Sequence, residues 1–239
     1  MIPNKNFSKE DLYKFILQNK VYSGGEAIIC ESDNPYTLYK VFSKFGDLIP
    51  MSENKIKKLQ LLYEKDLDYM VKPIITISCN DMIVGYEMTS DYSFNTYKHY
   101  QLTKEELIEF LEQTKSILEY FQDNNIIYGD INFRNILLNR NNMDILFCDI
   151  DNIQIDDYFM DVVPYDLINY ETSNGIDSSV HAYMHNIMTL KAFNLDMYCS
   201  SNFVINKHFK RGARKVILSM QEENKFNSEY LISYIKKHK

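Results

Sequence analysis

The chain of 239 residues has no tryptophan, only seven glycines and five prolines, and four cysteines placed far apart. Cys30, Cys79, Cys148 and Cys199 show none of the paired spacings of a metal site, so they are expected as free buried thiols of a reducing compartment. There is no internal repeat and no low-complexity linker. No apolar run approaches the roughly 20 residues a membrane-crossing helix needs. Met1 to Phe15 mixes Asn, Lys, Ser and Glu without the apolar core of a signal peptide. These absences predict a cytoplasmic protein. A basic balance is missing too: the formal charge of -7 argues against general binding to nucleic acid or anionic membrane. The cluster Lys207, Lys210, Arg211, Arg214 and Lys215 reads as a solvated helix face. Neither a G-x-S-x-G elbow nor a Cys–His pattern points to a hydrolase.

What is present is an ordinary globular composition, 45% hydrophobic and 25% charged, long enough for one large domain or two small lobes. The 19 tyrosines, with much Asn, Lys and Ile, read as biased coding rather than as a function. Ser8 and Asp11 stand in capping-box spacing ahead of Leu12, Phe15 and Ile16, which predicts a short leading helix. Strands follow at Ala27–Cys30 and Thr37–Phe42, separated by the turn Ser32-Asp33-Asn34-Pro35. Ser52 to Lys65 reads as a helix with Ile56, Leu59 and Leu62/Tyr63 on one side. Val71–Ser78 and Met82–Met88 are apolar segments joined by the turn Cys79-Asn80-Asp81.

After a polar, Tyr-rich connector at Asp91–Gln101 the pattern becomes helical. Thr103 and Glu106 form a second capping box, and Leu107, Phe110, Leu111, Thr114, Ile117, Leu118 and Phe121 keep the 3.6-residue period. Ile136–Leu138 and Ile145–Cys148 flank Asn139–Asn142 as a hairpin. Further helices are expected beyond Ser178, at Val216–Met220 and at Tyr230–Ile235.

The segment with the most chemical content runs Ile127-Tyr128-Gly129-Asp130-Ile131-Asn132-Phe133-Arg134-Asn135-Ile136-Leu137-Leu138, between the long helix and the hairpin. Asp149, nineteen residues after Asp130, stands in Phe147-Cys148-Asp149-Ile150-Asp151. Together these resemble the catalytic loop, D-x-x-x-x-N, and the metal-binding motif of protein kinases and related phosphotransferases. The resemblance implies an α+β, bilobal fold: an N-terminal lobe over residues 1–90 and a helical C-terminal lobe over 91–239, with ATP bound between them. The first lobe would hold a leading helix, an antiparallel sheet and one main helix. It assigns Asp130 to the acceptor hydroxyl, and Asn135 and Asp149 to Mg2+. Asp151 is either an additional metal or water ligand or a turn acid. Phosphoryl transfer is mostly positioning and charge neutralisation, which fits a hard cation held by such oxygen ligands.

The same resemblance implies a strand lysine on the α/β-phosphates. Lys40 fits: it alternates with Leu38 and Phe42, an inward face where a lysine calls for an anion, although an edge-strand lysine has the same pattern. Its helix partner would be Glu53 or Glu64. Gly24 and Gly25 stand where a phosphate loop would lie, and a plain hairpin turn explains them as well. Leu38 and Leu137 match adenine-sandwiching positions, and Tyr86-Glu87-Met88 matches the hinge strand, whose backbone would read the adenine edge. Asp177-Ser178-Ser179 resembles a helix start whose Asp braces the catalytic loop, equally an N-cap.

The match also has gaps. Gly129 replaces an arginine that receives an activation-loop phosphate, Asn132 replaces a γ-phosphate lysine, and Asp151 replaces a glycine. No A-P-E follows Val162-Val163-Pro164-Tyr165. His181 and His185 stand at i, i+4 without a third zinc ligand, so they read as two polar residues on one helix face. The expected function is an ATP- and magnesium-dependent kinase acting on protein Ser/Thr hydroxyls. A small-molecule kinase of the aminoglycoside or choline type, or a pseudokinase binding a nucleotide or partner, are the alternatives.

Overall fold

The computed structural model describes residues 1–96, 102–131, 134–163, 171–173, 175–176, 180–182, 184–185, 233 and 236–237. They form a mixed α+β protein that divides into two compact units, Met1–Ser93 with Phe147–Asp161, and Phe94–Leu146 with Val162–Lys239. The return of Phe147–Asp161 to the first unit was not contained in a sequence division near residue 90. Among the described residues no helix is long and apolar enough to cross a membrane.

The first unit is built on a sheet of strands β1 (Asn4–Phe7), β2 (Lys20–Ser23), β3 (Ala27–Glu31), β4 (Thr37–Lys44), β5 (Asp47–Leu48), β6 (Pro73–Cys79) and β7 (Met82–Thr89). The order is β1-β6-β7-β4-β3-β2, with β5 paired to β4. All pairs are antiparallel except β1 on β6. Helix α1 (Lys9–Asn19) starts at Ser8, whose hydroxyl accepts from the Asp11 N–H, as the capping spacing predicts. Its Leu12 and Ile16 pack with Cys30, Tyr39, Val41, Ile77, Cys79 and Val84 in one apolar cluster. Fully burying one such aliphatic side chain is worth about 2 kcal/mol, which is how this face of the sheet is held.

Side chains alternate along a strand, so Leu38, Lys40 and Phe42 of β4 stand on the face opposite Tyr39 and Val41. Lys40 registers against Tyr86 of β7, and Leu38 against Met88. Gly85, beside Tyr86, has no room for a side chain: a Cβ there would run into the Lys40 carbonyl oxygen. The β6–β7 turn uses Asn80 and Asp81 at φ 49° and 62°, a left-handed pair suited to a two-residue hairpin.

Helix α2 (Glu53–Lys65) is capped by Ser52, which accepts from the Lys55 N–H, and ends at Asp66 in the left-handed region. Leu59 and Leu62 are buried as the periodicity predicts, whereas Tyr63 is exposed. Lys58, fully buried, was not anticipated. The returning segment joins the unit through Phe147, whose N–H donates to Tyr69 and whose carbonyl accepts from Val71 (2.7 and 2.9 Å).

In the second unit β8 (Asn95–Thr96) precedes α3 (Lys104–Asp123). Both halves of the Thr103–Glu106 capping box are present. Leu107, Phe110, Leu111, Thr114, Ile117, Leu118 and Phe121, the whole expected stripe, are buried. After β9 (Ile126–Tyr128), β10 (Ile136–Asn139) and β11 (Asp144–Phe147) form the expected hairpin, and β8 pairs with β10. The Asn139 side chain accepts from the Asn141 N–H, and the Asn142 side chain from the Asp144 N–H, so this Asn-rich loop satisfies its own backbone.

Candidate functional site

The chemistry of the first unit gathers around Lys40. Its ammonium, on a side chain only 11% exposed, donates to the carboxylates of both Asp149 and Asp151. The buried Tyr86 hydroxyl donates to the same Asp151 oxygen at 3.2 Å. Lys55, from α2, reaches the other Asp151 oxygen at 3.3 Å. Lys40 and Lys55 both lie over the Phe42 ring, at 5.5 and 4.5 Å from its centroid.

Burial opposes charge throughout this cluster, and the partners decide which way each group moves. Burial works against the Lys40 ammonium, but Asp151 and Asp149 outweigh it and its pKa is raised. Burial also works against the Asp151 carboxylate, but Lys40 and Lys55 hold it well below the usual range. Asp149 moves the other way, raised by burial and by Asp151, with Lys40 only partly offsetting them. The Tyr86 hydroxyl is pushed far up by burial and by the two carboxylates. Lys40 and Asp151 therefore hold each other charged in a poorly hydrated place, whereas Asp149 is disfavoured as a carboxylate there.

Asp149 sits at φ 65°, ψ 56°, a left-handed residue just ahead of a 3-10 turn at Ile150–Asn152 and strand β12 (Ile153–Ile155). Asp tolerates that conformation better than most side chains. The tight turn is what lets two aspartates spaced by one residue reach a single ammonium. Their exposure differs: the Asp149 side chain is 40% accessible and that of Asp151 5%. Of the two, Asp149 is the carboxylate open to a ligand.

In the second unit, β9 is buried along its length and Gly129 continues buried, after which Asp130 emerges exposed. The Asn135 amide nitrogen donates to the Asp130 carboxylate at 2.7 Å and to its backbone carbonyl at 3.1 Å. The spacing of five residues thus closes a loop on itself and fixes the Asp130 side chain. Asn135 does this through nitrogen, and an amide ligates a hard cation through oxygen. The Tyr128 N–H donates to His181 Nε2 at 2.8 Å, bracing the strand that leads into this loop. His185 Nε2 bonds the Leu111 carbonyl at 2.8 Å. Both are buried polar residues of a helix face; His181 is bonded through Nε2, while its buried Nδ1 has no hydrogen-bond partner among the described residues. Burial lowers each to a pKa of about 4.

The remaining expected site residues fall in different places. Glu53 is exposed at the start of α2 and Glu64 is bonded to Gln60, so neither is the Lys40 partner. The helix sends a cation, Lys55, toward this cluster instead. Gly24 and Gly25 belong to the β2–β3 turn, where the Gly24 N–H donates to the Ala27 carbonyl at 2.9 Å and neither glycine has a left-handed φ. Of the two readings for them, the hairpin turn describes the geometry. Leu38 and Met88 share the Lys40 face. Glu87 and Met88 lie within the paired length of a strand flanked by β4 and β6, which occupies the backbone edge that a hinge strand would present. The Glu87 carboxylate accepts from the Thr37 hydroxyl. Leu137 is half-buried on β10, registered against Thr96.

Asn132, Pro164 with Tyr165, Asp177–Ser179, the Lys207–Lys215 cluster and the helices expected at 216–220 and 230–235 lie outside the described residues, apart from Ser233, which is helical.

Lys55 and Lys58 are the site residues that sequence reasoning missed. Lys58 donates to the Ile153 and Phe159 carbonyls and to Asp161, at 3.1 to 3.2 Å. The available signal was the interruption of an apolar helical stripe by a lysine beside Leu59 and Leu62.

Among the described residues no three His, Cys, Asp or Glu side chains group as a metal site. Magnesium needs no such group, because it is commonly held by one or two carboxylates together with phosphate oxygens. Within the first unit the accessible Asp149 carboxylate suits that mode, and Lys40 suits a phosphate. No family model matches this chain, and no curated protein matches it at a significant level.

Proposed function

We propose that the chain is an ATP- and magnesium-dependent phosphotransferase of bilobal, protein-kinase-like fold, acting on a protein Ser/Thr hydroxyl. The observation that carries the reading is the meeting of Lys40 with Asp149. The resemblance assigns one to phosphate and the other to metal, and they lie 109 residues apart along the chain.

In this reading Lys40 binds the α/β-phosphates, while Asp149 and Asn135 offer oxygens to magnesium. The metal neutralises charge on the phosphates. Asp130, held by Asn135, orients the acceptor hydroxyl and accepts its proton as the oxygen bonds to the γ-phosphorus. The bond from that phosphorus to the β-phosphate oxygen breaks, and ADP leaves. Leu38 and Met88 supply an apolar surface for adenine on the Lys40 face.

A small alcohol or sugar as acceptor is a second reading, favoured by Asp151 standing where protein kinases carry glycine. Incubating the protein with radiolabelled ATP, magnesium, a generic basic protein and a metabolite pool tests both. Label on protein supports the first acceptor class, and label confined to small molecules moves the enzyme to the second. Absence of both transfer and magnesium-dependent ATP binding would remove the phosphotransferase reading.

A further inference from the structure

We infer that Asp151 is the positioning residue for Lys40, and that α2 adds a second ammonium, Lys55, to the same nucleotide-phosphate site. The inference deepens the phosphotransferase reading and rests on it. In the family pattern a helix glutamate holds the strand lysine. Here α2 contributes the opposite charge, and the carboxylate comes from the segment after Asp149.

Asp151 is 4% exposed and both its oxygens are engaged, one by Lys40 and Tyr86, the other by Lys55. It is placed to hold lysines rather than a metal. Asp149, with its side chain 40% accessible, is left as the carboxylate for magnesium.

Charge counting points the same way. Two ammoniums and two carboxylates balance as the cluster stands. Once Asp149 turns to a cation, Asp151 alone faces Lys40 and Lys55, and one positive charge lacks a counter-charge in a site that disfavours it. The two ammoniums lie over one ring, Phe42, so they also repel each other. An anionic phosphate relieves both terms. An ammonium carries three donors, so each lysine can serve Asp151 and a phosphate oxygen together.

The geometry is fastened from outside the cluster. Ser52 and Asn54 donate to Asp161, Lys58 donates to Ile153, Phe159 and Asp161, and Lys65 pairs with Asp156. These bonds run from α2 to the segment that carries Asp151, all within the first unit. Lys55 therefore reaches Asp151 from a helix whose position that segment defines.

The test is calorimetric titration of the full chain with magnesium–ATP and, separately, with adenosine. Lys55→Met is expected to weaken ATP binding about tenfold, the size of one lost charge-assisted contact, and to leave adenosine within about twofold. Lys55→Arg keeps the charge and is expected to stay within about threefold of wild type for ATP. Asp151→Asn is expected to weaken ATP binding at least as much as Lys55→Met. Should Asp151→Asn fail to fold, the Lys55 variants alone decide.

Unchanged ATP binding in Lys55→Met, or equal loss of ATP and adenosine, overturns the inference. Wild-type affinity in a folded Asp151→Asn overturns the positioning role. If Lys40→Met loses ATP while Lys55→Met does not, the nucleotide reading stands and only the inference falls. If the wild-type protein does not bind magnesium–ATP, both fall.

Discussion

The Lys40 ammonium donates to Asp149 and also to Asp151, two residues further on, so one strand lysine ties the central sheet to the segment that returns from the hairpin. Replacing Lys40 with Met leaves two partly or fully buried carboxylates side by side, with Lys55 on Asp151 alone. Removing one member of a buried charged group costs about 3 kcal/mol or more, because the charges left behind are uncompensated. Urea denaturation of Lys40→Met is expected to show a loss of that size. A loss near zero would mean the cluster is well hydrated.

The buried Lys58 pairs with Asp161 nearer the surface, and here the amine also serves two backbone carbonyls. Burial lowers the Lys58 pKa, with Asp161 only partly offsetting it. In a double-mutant cycle with Lys58→Met and Asp161→Asn, the pair is expected to couple by about 1–3 kcal/mol. Lys58→Met is expected to be the more costly single change, since it removes a donor from two carbonyls as well as from the carboxylate. Additive effects of the two substitutions would contradict this.

Gly85 is required by close approach rather than by its dihedrals. A Cβ at this position meets the Lys40 carbonyl and comes within 3.0 Å of the Val41 Cα, both backbone atoms of β4 that cannot swing aside. Gly85→Ala is therefore expected to destabilise the first unit by about 1–3 kcal/mol, as overpacking does, readable by chemical denaturation. A neutral substitution would show that the β4–β7 pair separates easily.

Acid should weaken the second unit through His181 and His185. Their folded pKa of about 4, set mainly by burial, lies below the ordinary 6.5. The unfolded chain then binds more protons between those values, so the stability present above pH 6.5 is lost as pH falls toward 4. Each histidine contributes on the order of 3 kcal/mol across that window. His181 has the further consequence that its Nε2 accepts from Tyr128, a bond that a protonated ring cannot make. Unfolding curves at pH 7 and pH 5 are expected to differ less in His181→Gln than in the wild-type protein. An equal pH dependence in both would contradict the assignment.

Elements whose cause is local were legible in the sequence. Helix α3 has its capping box and complete apolar stripe where expected, and the Asn139–Asn142 hairpin and the inward face of Lys40 follow from period and turn chemistry alone. Strand β1 was not legible: Asn-Lys-Asn-Phe has little strand propensity and forms by parallel pairing with β6, about 70 residues away. Lys55 and Lys58 look like the solvated side of a helix, and only acceptors roughly 95 to 105 residues further along the chain account for the partly buried Lys55 and the buried Lys58. Glu53 failed as the Lys40 partner for the same reason, since a helix glutamate was favoured by pattern while nearby aspartates met the lysine first. The hinge assignment of Glu87 and Met88 placed the strand correctly but not its end, because the length of pairing with β4 and β6 is a tertiary property.

Asp130 is the centre of the account, and its substitution by Asn is the most direct test. The change is nearly isosteric and removes the proton acceptor while leaving Lys40 and Asp149 in place. Wild type and Asp130→Asn would be compared side by side for magnesium–ATP binding and for transfer of labelled phosphate in the mixed acceptor assay. The account predicts ATP binding within about twofold of wild type and transfer reduced at least a hundredfold, the scale of a lost general base. Undiminished transfer in Asp130→Asn would contradict it.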